Sequence, residues 1–267
     1  NGFGRIGRSL FRAAVADPRI ELVGINDVMG TADVGYLAKY DSVAGRFEDV
    51  RLADESLVVG DAEIPLFDES DPADLPWDDR DVDVAMECTG LFRTWADASS
   101  HVDAGADRVV ASAPPKDDEV PQVVYGVNES EYYGEAVVSA ASCTTNSVAP
   151  VAKALHEAFE LEAGLLTTVH AYTGSQNLID GPKAKRRRGR GAAENIVPTS
   201  TGAAQATTEI LPQLEGKLDG MAMRVPVPTG SLTDLTVSLE ESPSVEEVND
   251  AFRDAADSGP LAGVLGY

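Results

Sequence analysis

Cysteine is scarce: the 267 residues contain Cys88 and Cys143 and no other. Two thiols cannot build a disulfide framework, which argues for a core held by packing and for a reducing, cytoplasmic setting. Long apolar runs are lacking, and none approaches the roughly 20 residues that a membrane helix needs. Histidine occurs three times, and no metal site is expected. Positive charge is short as well, with 21 basic residues against 45 acidic ones, a net charge of −24 and a pI near 4.3. Such a surface repels nucleic acid and anionic membranes. A disordered acidic chain is excluded by the 43% hydrophobic content and its regular spacing. The composition instead suggests a folded protein adapted to high salt, where screening suppresses self-repulsion.

One of the two cysteines stands in a chemically prepared place. Ser142-Cys143-Thr144-Thr145-Asn146 follows the β-rich run 136–141 and precedes a helical pattern through Val148, Val151, Ala152, Leu155 and Phe159. Cys143 therefore falls on the first turn of a helix. Free N–H groups and the positive end of the helix dipole favour an anion there, and the thiolate is the nucleophilic form of cysteine. Taken alone, the stretch also fits an inert buried cysteine.

The chain opens with Asn1-Gly2-Phe3-Gly4-Arg5-Ile6-Gly7-Arg8. Gly2, Gly4 and Gly7 form GxGxxG. A helical pattern follows, then a strand over 20–25 that ends at Asn26-Asp27, with Asp27 20 residues after Gly7. This is the dinucleotide fingerprint, in which glycines admit the pyrophosphate to a helix N-terminus and the acid takes the ribose hydroxyls. A carboxylate at Asp27 favours NAD over NADP, because it repels a 2′-phosphate. The fingerprint is expected to follow a strand, which suggests that the sequence continues before Asn1.

Further strands are expected at 82–86, 108–111, 123–126 and 136–140. Ser112 closes one of them, where ligands gather at strand ends. Beyond Cys143 long strands dominate, at 165–171, 220–227 and 232–239, and Ser244 with Glu247 marks a helix start. The expected organisation is an α/β Rossmann-like NAD-binding domain over 1–142 and an α+β catalytic domain over 143–267. Lys183 to Arg190 form the one basic cluster. Read as a nucleic-acid patch it conflicts with the acidic surface, so phosphate binding or pairing with acids across a subunit interface is preferred.

Together, the segments 1–8, 39–42, 140–146, 167–172, 180–182, 200–204 and 220–226 resemble phosphorylating glyceraldehyde-3-phosphate dehydrogenase. The resemblance implies oxidation of glyceraldehyde 3-phosphate to 1,3-bisphosphoglycerate with NAD and inorganic phosphate, in a homotetramer. It implies Cys143 as the nucleophile and His170 as the base. Thr173 and Arg224 correspond to the pocket for the substrate's own phosphate. Ser142, Thr144, Thr201, Gly202 and Arg187 correspond to the pocket for attacking phosphate. Arg5, Ile6, Asp27 and Ser112 match the NAD side, and Pro182 agrees with NAD preference. Ser147 stands where the family usually carries a second cysteine, and Ser70 where many members carry a basic residue. The family's C-terminal portion is also missing, so the sequence is expected to continue at that end too. An erythrose-4-phosphate dehydrogenase would share the thiolate but be weaker in phosphate attack, and a nucleic-acid-binding module is the alternative of another class.

Overall fold

A computed structural model describes residues 1–267, and the chain divides into two compact units. The first comprises residues 1–122 and 133–140, the second residues 123–132 and 141–267.

In the first unit, helix α1 (Arg5–Ala14) starts directly after Gly4 and buries Gly7, Phe11 and Ala14, one face at three- and four-residue spacing. Strand β1 (Ile25–Asn26) lies parallel to β4 (Ala62–Phe67), which continues antiparallel into β3 (Ser56–Val59) and β2 (Val50–Ala53). Helix α2 (Thr31–Lys39) packs on β2. A second sheet is wholly parallel, with β5 (Val84–Glu87), β6 (Arg108–Ala111) and β7 (Val137–Ser139) in that order. Two single-turn helices, α3 (Trp95–Ala98) and α4 (Ser100–Asp103), connect β5 to β6.

Asn1 and Gly2 join the two sheets. The Gly2 N–H donates to the Asn26 carbonyl at 2.8 Å, and the Asn1 carbonyl accepts from the Cys88 N–H at 2.7 Å. Of the strand expected over 20–25, Ile25 alone is paired, with Leu66 of β4, and residues 20–24 have no strand hydrogen-bonded to them. The strand expected over 123–126 is a turn instead. Val127 N–H bonds back to the Val124 carbonyl, Val124 N–H is taken by Asn128 Oδ1, and Gly126 adopts φ +80°.

The second unit is organised around helix α5 (Cys143–Phe159) and the 11-residue strand β8 (Leu161–Ala171). Glu160, with φ +54°, makes the left-handed turn that joins them. The sheet order is β11 (Ser231–Leu239), β8, β10 (Leu218–Val225), β9 (Val197–Thr199). β8 and β10 are parallel and the other pairs antiparallel, giving the mixed sheet expected. The inner face packs on α5, α6 (Ala203–Ile210) and α7 (Val245–Asp257) around Val148, Leu155, Leu161, Leu166 and Ile210. Ser244 and Glu247 form the capping box read from sequence.

Candidate active site

Residues expected to act in catalysis converge in the second unit. Ala141, a non-glycine at φ +57°, turns the chain sharply before the helix, a conformation tolerated chiefly where function requires it. Ser142 then caps α5, its hydroxyl accepting from the Thr145 N–H at 3.0 Å. Cys143 is the first helical residue, and its thiol is exposed. The Cys143 Sγ lies 3.1 Å from His170 Nε2. That contact exists because α5 and β8 run back past each other from the Glu160 turn.

Orientation of the imidazole follows from its other nitrogen. His170 Nδ1 lies 2.8 Å from its neighbour's carbonyl, that of Ala171, and must donate there. Arg224 sits opposite His170 in the β8–β10 register. Its Nη1 lies 3.2 Å from Nδ1 but donates to the Ala171 carbonyl at 3.0 Å and towards Thr173 Oγ1 at 3.3 Å. Both ring nitrogens can thus carry protons at once, one facing sulfur and one facing oxygen. The hydrogen bond to His170 pulls the Cys143 thiol below its ordinary range, against the opposing effect of burial, with help from the imidazole charge and Thr144. The same bond holds the His170 proton above the usual value, although burial and the Arg224 charge oppose it. Both shifts favour the thiolate–imidazolium form of the pair.

His170→Asn is expected to move the pH midpoint for alkylation of Cys143 by iodoacetamide upward, towards the ordinary thiol value of about 8.5. The thiolate is the reacting form and its stabilising partner is gone, so the rate near pH 7 should drop about tenfold. An unchanged pH profile would contradict the pairing.

The other phosphate candidates divide. Thr144 is buried beneath Cys143, and Thr173 contacts Arg224. Thr201 and Gly202 stand at the start of α6, where Thr201 Oγ1 accepts the Ala203 N–H at 3.1 Å, and they line a separate open cleft with Gln205, Thr208 and Asp219. Arg187 is exposed, with its side chain in solvent. Its neighbour Arg188 is half-buried, donates to Thr199 Oγ1 at 3.1 Å, and lies close enough for its charge to be felt at Arg224. The run of three arginines gave no means of choosing among them by residue type. The short helical turn over Arg186–Gly189 makes the choice by turning Arg188 inward.

In the first unit, Gly2, Gly4 and Asp27 line a cleft of about 270 Å³, with Glu69, Ser70, Thr89 and Leu91 as its further walls. Gly2 adopts φ +89°, and a Cβ there would lie 2.6 Å from the Thr89 nitrogen. A Cβ on Gly7 would meet the Gly2 carbonyl oxygen at 2.0 Å, so the helix and the turn touch through glycine alone. Asp27 is held by the Phe3 N–H at 2.5 Å and the Met29 N–H at 2.9 Å. No basic side chain lines the cleft, and two carboxylates do. These residues fit a dinucleotide with free ribose hydroxyls and disfavour a 2′-phosphate. Arg5 is drawn to Asp41 at 3.1 Å, and Ile6 is exposed on the first turn of α1. Ser112 follows β6, where its hydroxyl bonds the Cys88 thiol, whose ionisation is pushed up by burial. The wall formed by Thr89 and Leu91 was not read from sequence, since neither residue type signals a ligand.

Comparison with known proteins is consistent with both halves. Residues 1–95 match the family model described as glyceraldehyde 3-phosphate dehydrogenase, NAD binding domain, and residues 142–267 the corresponding C-terminal domain. The glyceraldehyde-3-phosphate dehydrogenase of Haloarcula vallismortis is 63% identical over 269 residues, covering 100% of this chain and 80% of the relative. Those of Streptomyces coelicolor and Haemophilus influenzae are each 51% identical, with the same coverage.

Proposed function

Since the chain belongs to the glyceraldehyde-3-phosphate dehydrogenase family, an NAD-dependent oxidoreductase family, we propose that it converts glyceraldehyde 3-phosphate and inorganic phosphate to 1,3-bisphosphoglycerate in the cytoplasm. The observation that carries this reading is Cys143 Sγ at 3.1 Å from His170 Nε2, with Arg224 and Thr173 beside the pair.

The Cys143 thiolate attacks the aldehyde carbon, and His170 donates its proton to the resulting oxyanion, giving a neutral hemithioacetal. Arg224 and Thr173 hold the substrate's phosphate, the planar guanidinium pairing with two of its oxygens. NAD, when held by Gly2, Gly4 and Asp27, supplies the hydride acceptor for this oxidation. His170 takes back the hydroxyl proton as hydride leaves, which yields a thioester on Cys143. A second phosphate then cleaves the thioester, and Cys143 departs as thiolate, stabilised by the imidazolium. Ser142, Thr144, Thr201 and Gly202 are assigned to that phosphate, with Arg188 in the role expected of Arg187. NADH formation from glyceraldehyde 3-phosphate, followed by absorbance, should depend on inorganic phosphate. Equal multiple-turnover rates without it would move the assignment to a non-phosphorylating aldehyde dehydrogenase.

A homotetramer is part of the same proposal. The outer face of the β11-β8-β10-β9 sheet exposes Leu165, Met221 and Leu232. A sheet covered by helices on one side, with apolar side chains among the polar ones on its open side, is suited to meeting a second copy. None of the helices is long and apolar enough to cross a membrane.

A further inference from the structure

Glu87 and His101 are two of the most deeply buried polar side chains in the molecule, at 1% and 0% exposure, and neither takes part in the chemistry above. They lie behind the NAD cleft. The Trp77 indole N–H donates to His101 Nδ1 at 3.1 Å. An indole can only donate, so Nδ1 must accept, and the ring proton resides on Nε2. His101 is therefore neutral, and Nε2 points its proton at Glu87 Oε2, 3.3 Å away. The same oxygen accepts from Asn1 Nδ2 at 2.5 Å. The other, Oε1, accepts from the Thr89 N–H at 2.7 Å and from the Thr89 hydroxyl.

Four donors thus meet one carboxylate, and only an ionised acid can accept at all four positions. Burial opposes the charge, but the bonds from His101, Thr89 and Asn1 outweigh it and keep the Glu87 carboxyl below its ordinary value. A buried anion facing a neutral histidine is a costly way to fill a core. Its hydrogen bonds lead outward to the cleft walls. Thr89 Oγ1 accepts the Leu91 N–H at 3.0 Å and so fixes the loop that abuts Gly2. Asn1 Oδ1 accepts from Asn26 Nδ2 at 2.7 Å, and Asn26 clamps the backbone of Glu69 through two bonds of 2.9 Å. Thr89, Gly2 and Glu69 are three walls of the cleft.

We propose that Glu87 is a positioning residue for NAD: the single buried acceptor that sets the Thr89 loop, the Gly2 turn and the Glu69 backbone at the spacing the cofactor needs. The proposal rests on the assignment of this cleft to NAD. Wild-type turnover of glyceraldehyde 3-phosphate with NAD and phosphate tests that assignment, and the variants below test Glu87.

Glu87→Gln keeps the shape but turns one acceptor into a donor that faces His101 Nε2–H. Because Trp77 occupies Nδ1, the imidazole cannot move its proton aside. In the full chain, the KM for NAD should rise about tenfold while kcat changes less than about twofold. The alkylation rate of Cys143 should stay at the wild-type value. A merely structural role would lower the melting temperature without splitting KM from kcat. An unchanged KM for NAD in Glu87→Gln overturns the proposal. If Glu87→Gln fails to fold, Thr89→Val removes one of the four donors without touching the buried charge. It should raise the KM for NAD and leave kcat in place, and an unaltered KM there overturns the proposal equally.

Discussion

Cys143→Ser is expected to reduce NADH formation by about five orders of magnitude while NAD binding stays within about twofold of wild type. The size of the loss follows from the pairing. His170 stabilises a thiolate because sulfur ionises within reach of an imidazole, and a serine hydroxyl does not. The substituted side chain would keep its place as the first residue of α5 and could keep a hydrogen bond to His170. It would present a neutral, weak nucleophile and, once acylated, a poor leaving group for phosphate to displace. NAD binding should persist because Gly2, Gly4, Asp27 and Thr89 all belong to the first unit, which the substitution does not touch. Absorbance at the NADH band gives the rate, and calorimetric titration with NAD gives the affinity. Turnover reduced by less than about a hundredfold would refute Cys143 as the nucleophile.

Transfer from molar salt to dilute buffer is expected to lower the melting temperature by at least about ten degrees, or to unfold the chain outright. The chain carries 24 excess negative charges. Asp68, Glu69 and Asp71 stand exposed in one loop, and Asp78, Asp79, Asp81 and Asp83 in the next. The crowding is visible at Glu240, whose proton is retained above the usual carboxylate range by a hydrogen bond with Glu160 and by the charges of Glu160, Glu162 and Glu241. At molar salt the screening length is about 3 Å, shorter than most such separations, whereas at 0.01 M it is about 30 Å and spans the clusters. Melting followed by circular dichroism across that range tests the argument. A melting temperature independent of salt would refute the idea of a salt-adapted surface.

Parts of the candidate site were legible in the sequence where chemistry restricts the residue type. A cysteine after a serine cap and glycines before a helix each have few substitutes, so Cys143 and Gly2 stood out by themselves. His170 stood out only through the family resemblance of segment 167–172, because a histidine on a strand is by itself an ordinary core residue. The cleft around Gly2, Gly4 and Asp27 was legible for the same reason as Cys143. Arg188 was not, because in a run of arginines the side chain that turns inward is chosen by backbone geometry. Glu87 was hidden for a different reason: a glutamate closing a β-strand looks like any solvated residue until Trp77, His101 and Thr89 close around it. Among the elements, long strands such as β8 announced themselves. The segment 123–126 did not, since its strand-like composition is overruled by the Asn128 side chain and a glycine turn.

The left-handed turn at Glu160 also bears on how the site comes together in time. Cys143 and His170 are 27 residues apart, and the intervening chain is one helix, one turn and most of one strand. Arg224 reaches the same histidine across 54 residues. Doubling a flexible loop adds only about 0.6 kcal/mol of closure entropy, but the route to Arg224 also crosses β9 and α6, which must find their own places first. Nucleophile and base therefore come from one local hairpin of helix and strand, whereas Arg224 joins them only through the pairing of β10 with β8.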